Sequence, residues 1–276
     1  MYKIHHPIRF FDVSMREGSH IMSKKYTLTE KQIMLKKIVE RYKPTSIDIG
    51  NINSSKLGDD IKLYKYAQII GGSNYYMSVS PSEVLLNYAN NKNIRNISLN
   101  ASVSNAFQCI TQHKNIDTTY ENIENCLTNH HNFERIKLNF SCINWCPVSN
   151  KRINNSAIIR EISRYCKFKT IKEFCLVDTC GTLEYYDFQS IIDDILVEMG
   201  PSRLSLRLYI REGNVQEVNR IISAAMYRGI YKFDVSGLHF VTNKQDIINI
   251  KHPRNIRYED VIRKCLPHWK DNSTNI

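Results

Sequence analysis

No stretch of the sequence approaches the roughly 20 consecutive apolar residues that a membrane-spanning helix needs, which excludes a helical membrane span. The first residues, MYKIHHPIRFFDV, lack the apolar region and small-residue cleavage site of a secretory signal, and no retention tail follows Asn275. These absences lead to the expectation of a cytoplasmic protein. The eight cysteines (109, 126, 142, 146, 166, 175, 180 and 265) contain no C-x2-C pair, so zinc binding is disfavoured and buried free thiols are expected. Internal repeats, low-complexity linkers and Pro- or Gly-rich hinges are missing too. No GxGxxG follows the first apolar run, which disfavours a dinucleotide-binding fold.

What is present is an ordinary globular composition over 276 residues: 42% hydrophobic, 10% aromatic and 24% charged. That is enough to bury a sizeable core and excludes disorder as the main state. Lys and Arg number 38 against 27 Asp and Glu, a net charge of +11. Positive charge attracts nucleic acid and other anions. Here it is dispersed, in a chain rich in Asn, Ile, Lys and Tyr, so a nucleic-acid partner is not expected.

Short apolar runs alternate with amphipathic stretches. IRFFDV (8–13), SIDIG (46–50), NYYMSV (74–79), IRNISL (94–99), RIKLNF (135–140), EFCLVD (173–178), RLSLRLY (203–209) and YKFDV (231–235) read as buried strands. Helical patterns cover 27–42, 57–69, 81–91, 118–128, 155–166, 185–198, 214–228 and 242–250. The first opens with a capping box, Thr27 with Glu30, followed by an apolar stripe of Ile33, Leu35, Ile38, Val39 and Tyr42. Eight strand–helix units imply right-handed crossovers and a closed parallel sheet. The expectation is an α/β fold, a (β/α)8 TIM barrel forming a single domain over 1–276. The barrel would span about 8–250, with a C-terminal extension over 251–276.

In such barrels chemistry sits where strands end. Polar residues gather there: Asp12, Arg16, Glu17, Asp48, Asn100, Ser141, Asp178, Thr179, Arg207, Tyr209, Asp234 and Ser236. Each alone is as readily a rim or capping residue. Arg16, Asp48 and Asp178 together point to a site.

These positions resemble a known family. RFFDVSMREGSH (9–20) is similar to the first-strand signature of 3-hydroxy-3-methylglutaryl-CoA lyase and related metallolyases, where Arg-Asp-Gly follows the strand. NASVSNAFQCITQHKNIDTTYENIENCL (100–127), FSCINWCP (140–147), VDTCGTLEYYDF (177–188) and GIYKFDVSGL (229–238) resemble its later segments in order. The resemblance implies a divalent cation, Mg or Mn, holding substrate oxygens while a carbon–carbon bond breaks in a retro-Claisen step. Charge stored on an oxygen would be held by fixed positive charge. It also implies a CoA-ester or other small anionic ligand and a homodimer.

Carried over by position, the resemblance makes Arg16 the catalytic arginine and puts Glu17 in place of the metal-binding aspartate. Asp48 stands for a strand-2 glutamate, and Asp178 and Thr179 are unchanged. Arg207 and Tyr209 stand where the family has two metal-binding histidines; a guanidinium cannot ligate. The family's ligand asparagine meets Val218, with Asn219 one step off. Its catalytic cysteine loop becomes Gly237-Leu238-His239-Phe240-Val241.

Three readings follow. In the first, a carbon–carbon lyase by descent has a rebuilt site. Arg207 replaces the metal's charge, Tyr209, Asp48 and Asn100 help bind substrate, and His239 or His20 moves protons. A Glu17–Arg207 salt bridge would then fill the metal position, and cation binding would be weak or absent. In the second, a non-catalytic pseudoenzyme keeps only an anion pocket. In the third, a basic module binds nucleic acid, with steep salt dependence as its mark.

Overall fold

Strand alternation decides which residues meet the helices and which fill the barrel. The computed structural model describes residues 8–17, 26–52, 57–129, 132–238 and 254–265. Its eight parallel strands are β1 (Arg9–Asp12), β2 (Ser46–Ile52), β3 (Asn74–Val79), β4 (Asn96–Ser102), β5 (Arg135–Ser141), β6 (Ile171–Val177), β7 (Leu204–Arg207) and β8 (Lys232–Val235). They pair in chain order, and β1 pairs β8 from Arg9–Lys232 to Asp12–Val235, closing the barrel. The fold is the (β/α)8 barrel expected from the sequence.

Around it lie α1 (Leu28–Tyr42), α2 (Leu57–Ile70), α3 (Glu83–Asn91), α4 (Asn105–Gln112), α5 (Ile116–Asn129), α6 (Asn155–Cys166), α7 (Tyr185–Glu198), α8 (Val215–Tyr227) and α9 (Tyr258–Cys265). The main core fills the layer between strands and helices. On β5, Ile136, Leu138 and Phe140 point into that layer, while Lys137 and Asn139 are buried on the other face. Each such apolar side chain contributes about 1.5–3 kcal/mol by leaving water. The barrel interior is different. Phe11, Val13 and Tyr76 form one small cluster, and Cys175, Val177 and Tyr209 another, both separate from the main core. Charged side chains occupy the remaining space.

Several local expectations are met and others corrected. The capping box is present: Glu30 N–H donates to Thr27 Oγ1 at 3.3 Å, and Thr27 N–H donates to Glu30 Oε2 at 2.6 Å. Ile33, placed in the apolar stripe of α1, is 50% exposed; Leu35 and Ile38 carry the buried face. Helix α4 falls between the helical patterns at 81–91 and 118–128 and was not expected. It is a two-turn element capped by Ser104, whose Oγ accepts from Phe107 N–H at 3.3 Å. Helix α9 falls in the expected C-terminal extension and packs on the barrel: Tyr258 stacks on Tyr42 with ring centroids 4.2 Å apart. The helical pattern at 242–250 lies outside the described residues. Seven described cysteines are free, five of them buried. Among the described residues, no helix is long and apolar enough to cross a membrane.

The strand read as 203–209 ends early. After Arg207 the chain leaves the barrel sheet, and Tyr209–Ile210 pairs antiparallel with Arg254–Asn255. That switch brings a segment from late in the chain to the mouth.

Candidate active site at the C-terminal mouth

Asp234, from β8, is fully buried, and three side chains converge on it. Lys137 Nζ lies 2.5 Å from Oδ1, while Arg207 donates to Oδ2 through Nε at 3.1 Å and Nη2 at 2.6 Å. Cys175 Sγ donates to the same Oδ2 at 3.3 Å. Lys137 also pairs with Glu173 at 2.7 Å and sits over the Phe11 ring, 3.6 Å from its centroid.

Burial opposes every one of these charges, but the neighbours outweigh it. Asp234 and Glu173 hold Lys137 protonated, Lys137 and Arg207 hold Asp234 below the usual carboxylate range, and Asp234, Cys175 and Glu17 keep Arg207 charged. Burial first, then the Asp234 charge, pushes the Cys175 thiol up to about 12, so it serves as a neutral donor.

The network continues upward to the mouth. Arg207 Nη1 lies 3.7 Å from Glu17 Oε1, the pair expected from the sequence. Tyr209 donates its hydroxyl to the same oxygen at 3.1 Å, and Asn255 Nδ2 donates to Oε2. Arg16 Nη2 lies 3.5 Å from Glu17 Oε1, and Arg16 Nε 3.1 Å from Asp48 Oδ2. Ser98 Oγ donates to that Asp48 oxygen at 3.0 Å. Burial raises the Asp48 pKa to about 6, against the pull of Arg16 and Arg207. Its other oxygen, Oδ1, is buried without a hydrogen-bond partner among the described residues. Tyr209 is held from behind, since Asn214 Nδ2 donates to its carbonyl at 3.0 Å and to the Gly181 carbonyl at 2.8 Å. Gly181 has φ +64°, and a Cβ there would lie 2.9 Å from the Tyr209 carbonyl, so the turn after β6 requires glycine.

Of the residues singled out in the sequence, the structure brings Arg16, Glu17, Asp48, Arg207, Tyr209 and Asp234 into this one network. Asn100 stands on the facing wall, where its Oδ1 accepts from Asn139 Nδ2 at 3.2 Å and its Nδ2 donates to Ser78 Oγ at 3.1 Å. Asp178 shapes the turn after β6: Thr182 N–H donates to its Oδ1 at 3.0 Å, and burial raises its pKa to about 6. Thr179 Oγ1 accepts from Cys142 N–H at 2.7 Å, tying the ends of β5 and β6. His239 and His20 lie outside the described residues.

One expectation is corrected. Asp12 does not face the mouth; its Oδ2 accepts from the Tyr258 hydroxyl at 2.8 Å and from Gly237 N–H at 3.2 Å, on the side of the strand turned towards α9. An asparagine that the sequence did not single out stands beside Glu17. Val218 is buried in the face of α8 that packs on the barrel, and Asn219 follows it round the helix, whereas Asn255 contacts Glu17.

Sequence reading also missed Lys137, Glu173 and Cys175. The available signal was a lysine inside RIKLNF and a glutamate opening EFCLVD, charges on the inward face of otherwise apolar strands. Among the described residues, no group of three or more His, Cys, Asp or Glu side chains is arranged to hold a metal ion.

No family model matches the sequence, and neither does any curated protein. Solved structures do. A hydroxymethylglutaryl-CoA lyase from Acinetobacter baumannii, solved with coenzyme A and 3-methylmalate, superposes with TM-score 0.81 at 19% identity, covering 97% of this chain and 86% of that one. The hydroxymethylglutaryl-CoA lyase of Pseudomonas aeruginosa gives TM-score 0.78 at 19% identity, covering 94% of this chain and 85% of that one. The lyase of Brucella melitensis gives 0.76 at 17%, covering 94% and 90%. The polypeptide is therefore hydroxymethylglutaryl-CoA lyase-like in structure, sharing with those enzymes the whole closed (β/α)8 barrel at very low identity.

Proposed function

We propose that the protein is a carbon–carbon lyase by descent whose mouth binds a small carboxylate or CoA ester through arginine side chains in place of a divalent cation. The observation that carries this reading is the Arg207 guanidinium between Asp234 and Glu17. Magnesium or manganese takes several oxygen donors, usually including carboxylates. Here Glu17 is the one carboxylate among Glu17, Arg207, Tyr209 and Asn255, and both its oxygens are engaged by donors. Arg207 brings a fixed positive charge to the same place and offers no lone pair. These four side chains do not fit a divalent cation.

In their place, Arg16 and Arg207 supply permanent positive charge for a substrate carboxylate or a developing enolate. Asp48, with a pKa of about 6 and a buried Oδ1 lacking a partner among the described residues, is suited to hold or release a proton near neutrality. Asn100 and Asn139 offer amides on the opposite wall. Asp178 and Thr179 act at one remove, by setting the turn that carries Gly181 against Tyr209.

A second reading, a non-catalytic anion-binding scaffold, is favoured by one further fact: Arg207 is already paired inside the barrel, which leaves it less free to follow a reacting substrate. A cytoplasmic location and a homodimer belong to both readings. Calorimetric titration of the purified protein with Mn2+ and Mg2+, together with assay of 3-hydroxy-3-methylglutaryl-CoA cleavage, tests the proposal. No stoichiometric cation binding is expected, and cleavage without added metal would favour the lyase over the scaffold. Tight one-to-one cation binding would overturn the arginine-for-metal reading.

A further inference from the structure

The other end of the barrel carries a cavity, and it is lined by the residues that begin strands rather than end them. It measures about 370 Å3 and is bounded by Arg9 of β1, Ser46 of β2, Arg135 of β5, Lys172 and Glu173 of β6, and Lys232 of β8. That size falls in the range of small-molecule sites. Its apolar wall includes Phe11 and Tyr76, both buried and packed edge to face with ring centroids 5.0 Å apart. Phe11 also lies beneath Lys137, so this aromatic pair stands next to the interior charge network.

The charge around this cavity is unbalanced. Four cations, Arg9, Arg135, Lys172 and Lys232, face two carboxylates, Glu134 and Glu173. Glu173 is already committed, to Lys137 at 2.7 Å and to Lys232 at 3.3 Å. Among the described residues, no carboxylate forms an ion pair with Arg9, Arg135 or Lys172. Lys172 donates instead to the Lys169 carbonyl at 3.2 Å, and the Arg135 charge bears on the Tyr76 hydroxyl. A barrel end built only for stability would match charges across neighbouring strands. This one gathers like charge around an aromatic wall, and an anion would relieve the repulsion.

We infer that the N-terminal end of the barrel is a binding site for an oxyanion, phosphate or carboxylate, carried on a flat apolar group. The anion meets Arg9, Arg135 and Lys172 at the rim, and the flat group lies against Phe11 and Tyr76. This site is independent of the mouth at the opposite end.

Calorimetry with phenyl phosphate and inorganic phosphate on the full chain, at about 0.15 M salt, tests it. Saturable one-to-one binding of phenyl phosphate is expected, tighter than that of inorganic phosphate. The Arg9→Gln/Arg135→Gln double variant alters exposed side chains, and should weaken binding about tenfold or more. Lys37→Gln/Lys65→Gln, which removes the same net charge elsewhere, should leave it unchanged, as should Arg16→Gln at the other mouth. Absence of saturable binding, equal affinity for inorganic phosphate, or equal loss in the Lys37/Lys65 variant would overturn the site. Loss in Arg16→Gln alone would overturn it as well, and would assign the anion to the mouth.

Discussion

Arg207 places two donors on a single oxygen of Asp234, Nε at 3.1 Å and Nη2 at 2.6 Å, while Lys137 takes the other oxygen. One carboxylate is thus shared by two buried cations from neighbouring and distant strands, with Glu173 and Glu17 supplying further negative charge. Such an arrangement is costly to break on one side, because a charge is then left in a dry interior.

Asp234→Asn should therefore destabilise the protein by about 3–5 kcal/mol. Glu173 still holds Lys137 in that variant, so Arg207 bears most of the loss. Urea denaturation followed by circular dichroism measures it. A change below 1 kcal/mol, on the order of an exposed ion pair, would mean that water reaches the network.

Restoring imidazoles at the mouth should restore cation affinity. The Arg207→His/Tyr209→His double variant removes the fixed charge and adds two neutral donors beside Glu17 and Asn255. Mn2+ binding about tenfold or more tighter than in the parent is expected from calorimetry. If affinity does not rise, Tyr209 and Arg207 do not occupy the metal-binding position that the resemblance gives them.

Asp12 provides a pH test. Burial raises its pKa from 3.8 to about 6, against the hydrogen bonds from Ser14, Tyr258 and Gly237. The folded state therefore holds a proton that the unfolded chain releases. The stability this contributes is fully present below about pH 4 and is lost as pH rises through 6, by at most about 3 kcal/mol. In parallel urea titrations from pH 4 to 8, the wild type should lose stability relative to Asp12→Asn over that window. Parallel curves would show that the carboxyl is already ionised in the fold.

Thr27→Ala removes half of the capping box that starts α1. A loss of about 1 kcal/mol is expected, seen as a lower midpoint in the same denaturation experiment. Glu30→Gln should lose less, since its amide oxygen can still accept from Thr27 N–H.

The barrel could be read from the sequence because its outer layer obeys a simple rule: eight apolar runs separated by helical stripes with recognisable caps. The same rule hides the interior. Lys137 sits between Ile136 and Leu138, and the pattern reports only that alternate residues share a face, not that one face turns inward onto Asp234. The cluster of Arg16, Glu17, Arg207 and Tyr209 was visible because strand ends converge in any closed barrel. Asn255 was not, since 238 residues separate it from Glu17 and its arrival depends on the two-residue pairing with Tyr209. Asp12 shows the opposite error: the end of a strand was located correctly, but the side of the strand was not.

The pairing of Tyr209 with Asn255 also sets an order of assembly. On the ribosome, Glu17 emerges 238 residues before Asn255. Until residues 254–258 have emerged, Glu17 lacks its amide partner and Asp12 lacks the Tyr258 hydroxyl. The turn after β1 thus waits for a segment made 238 residues later, and a nascent barrel carries an unfinished rim until that segment arrives.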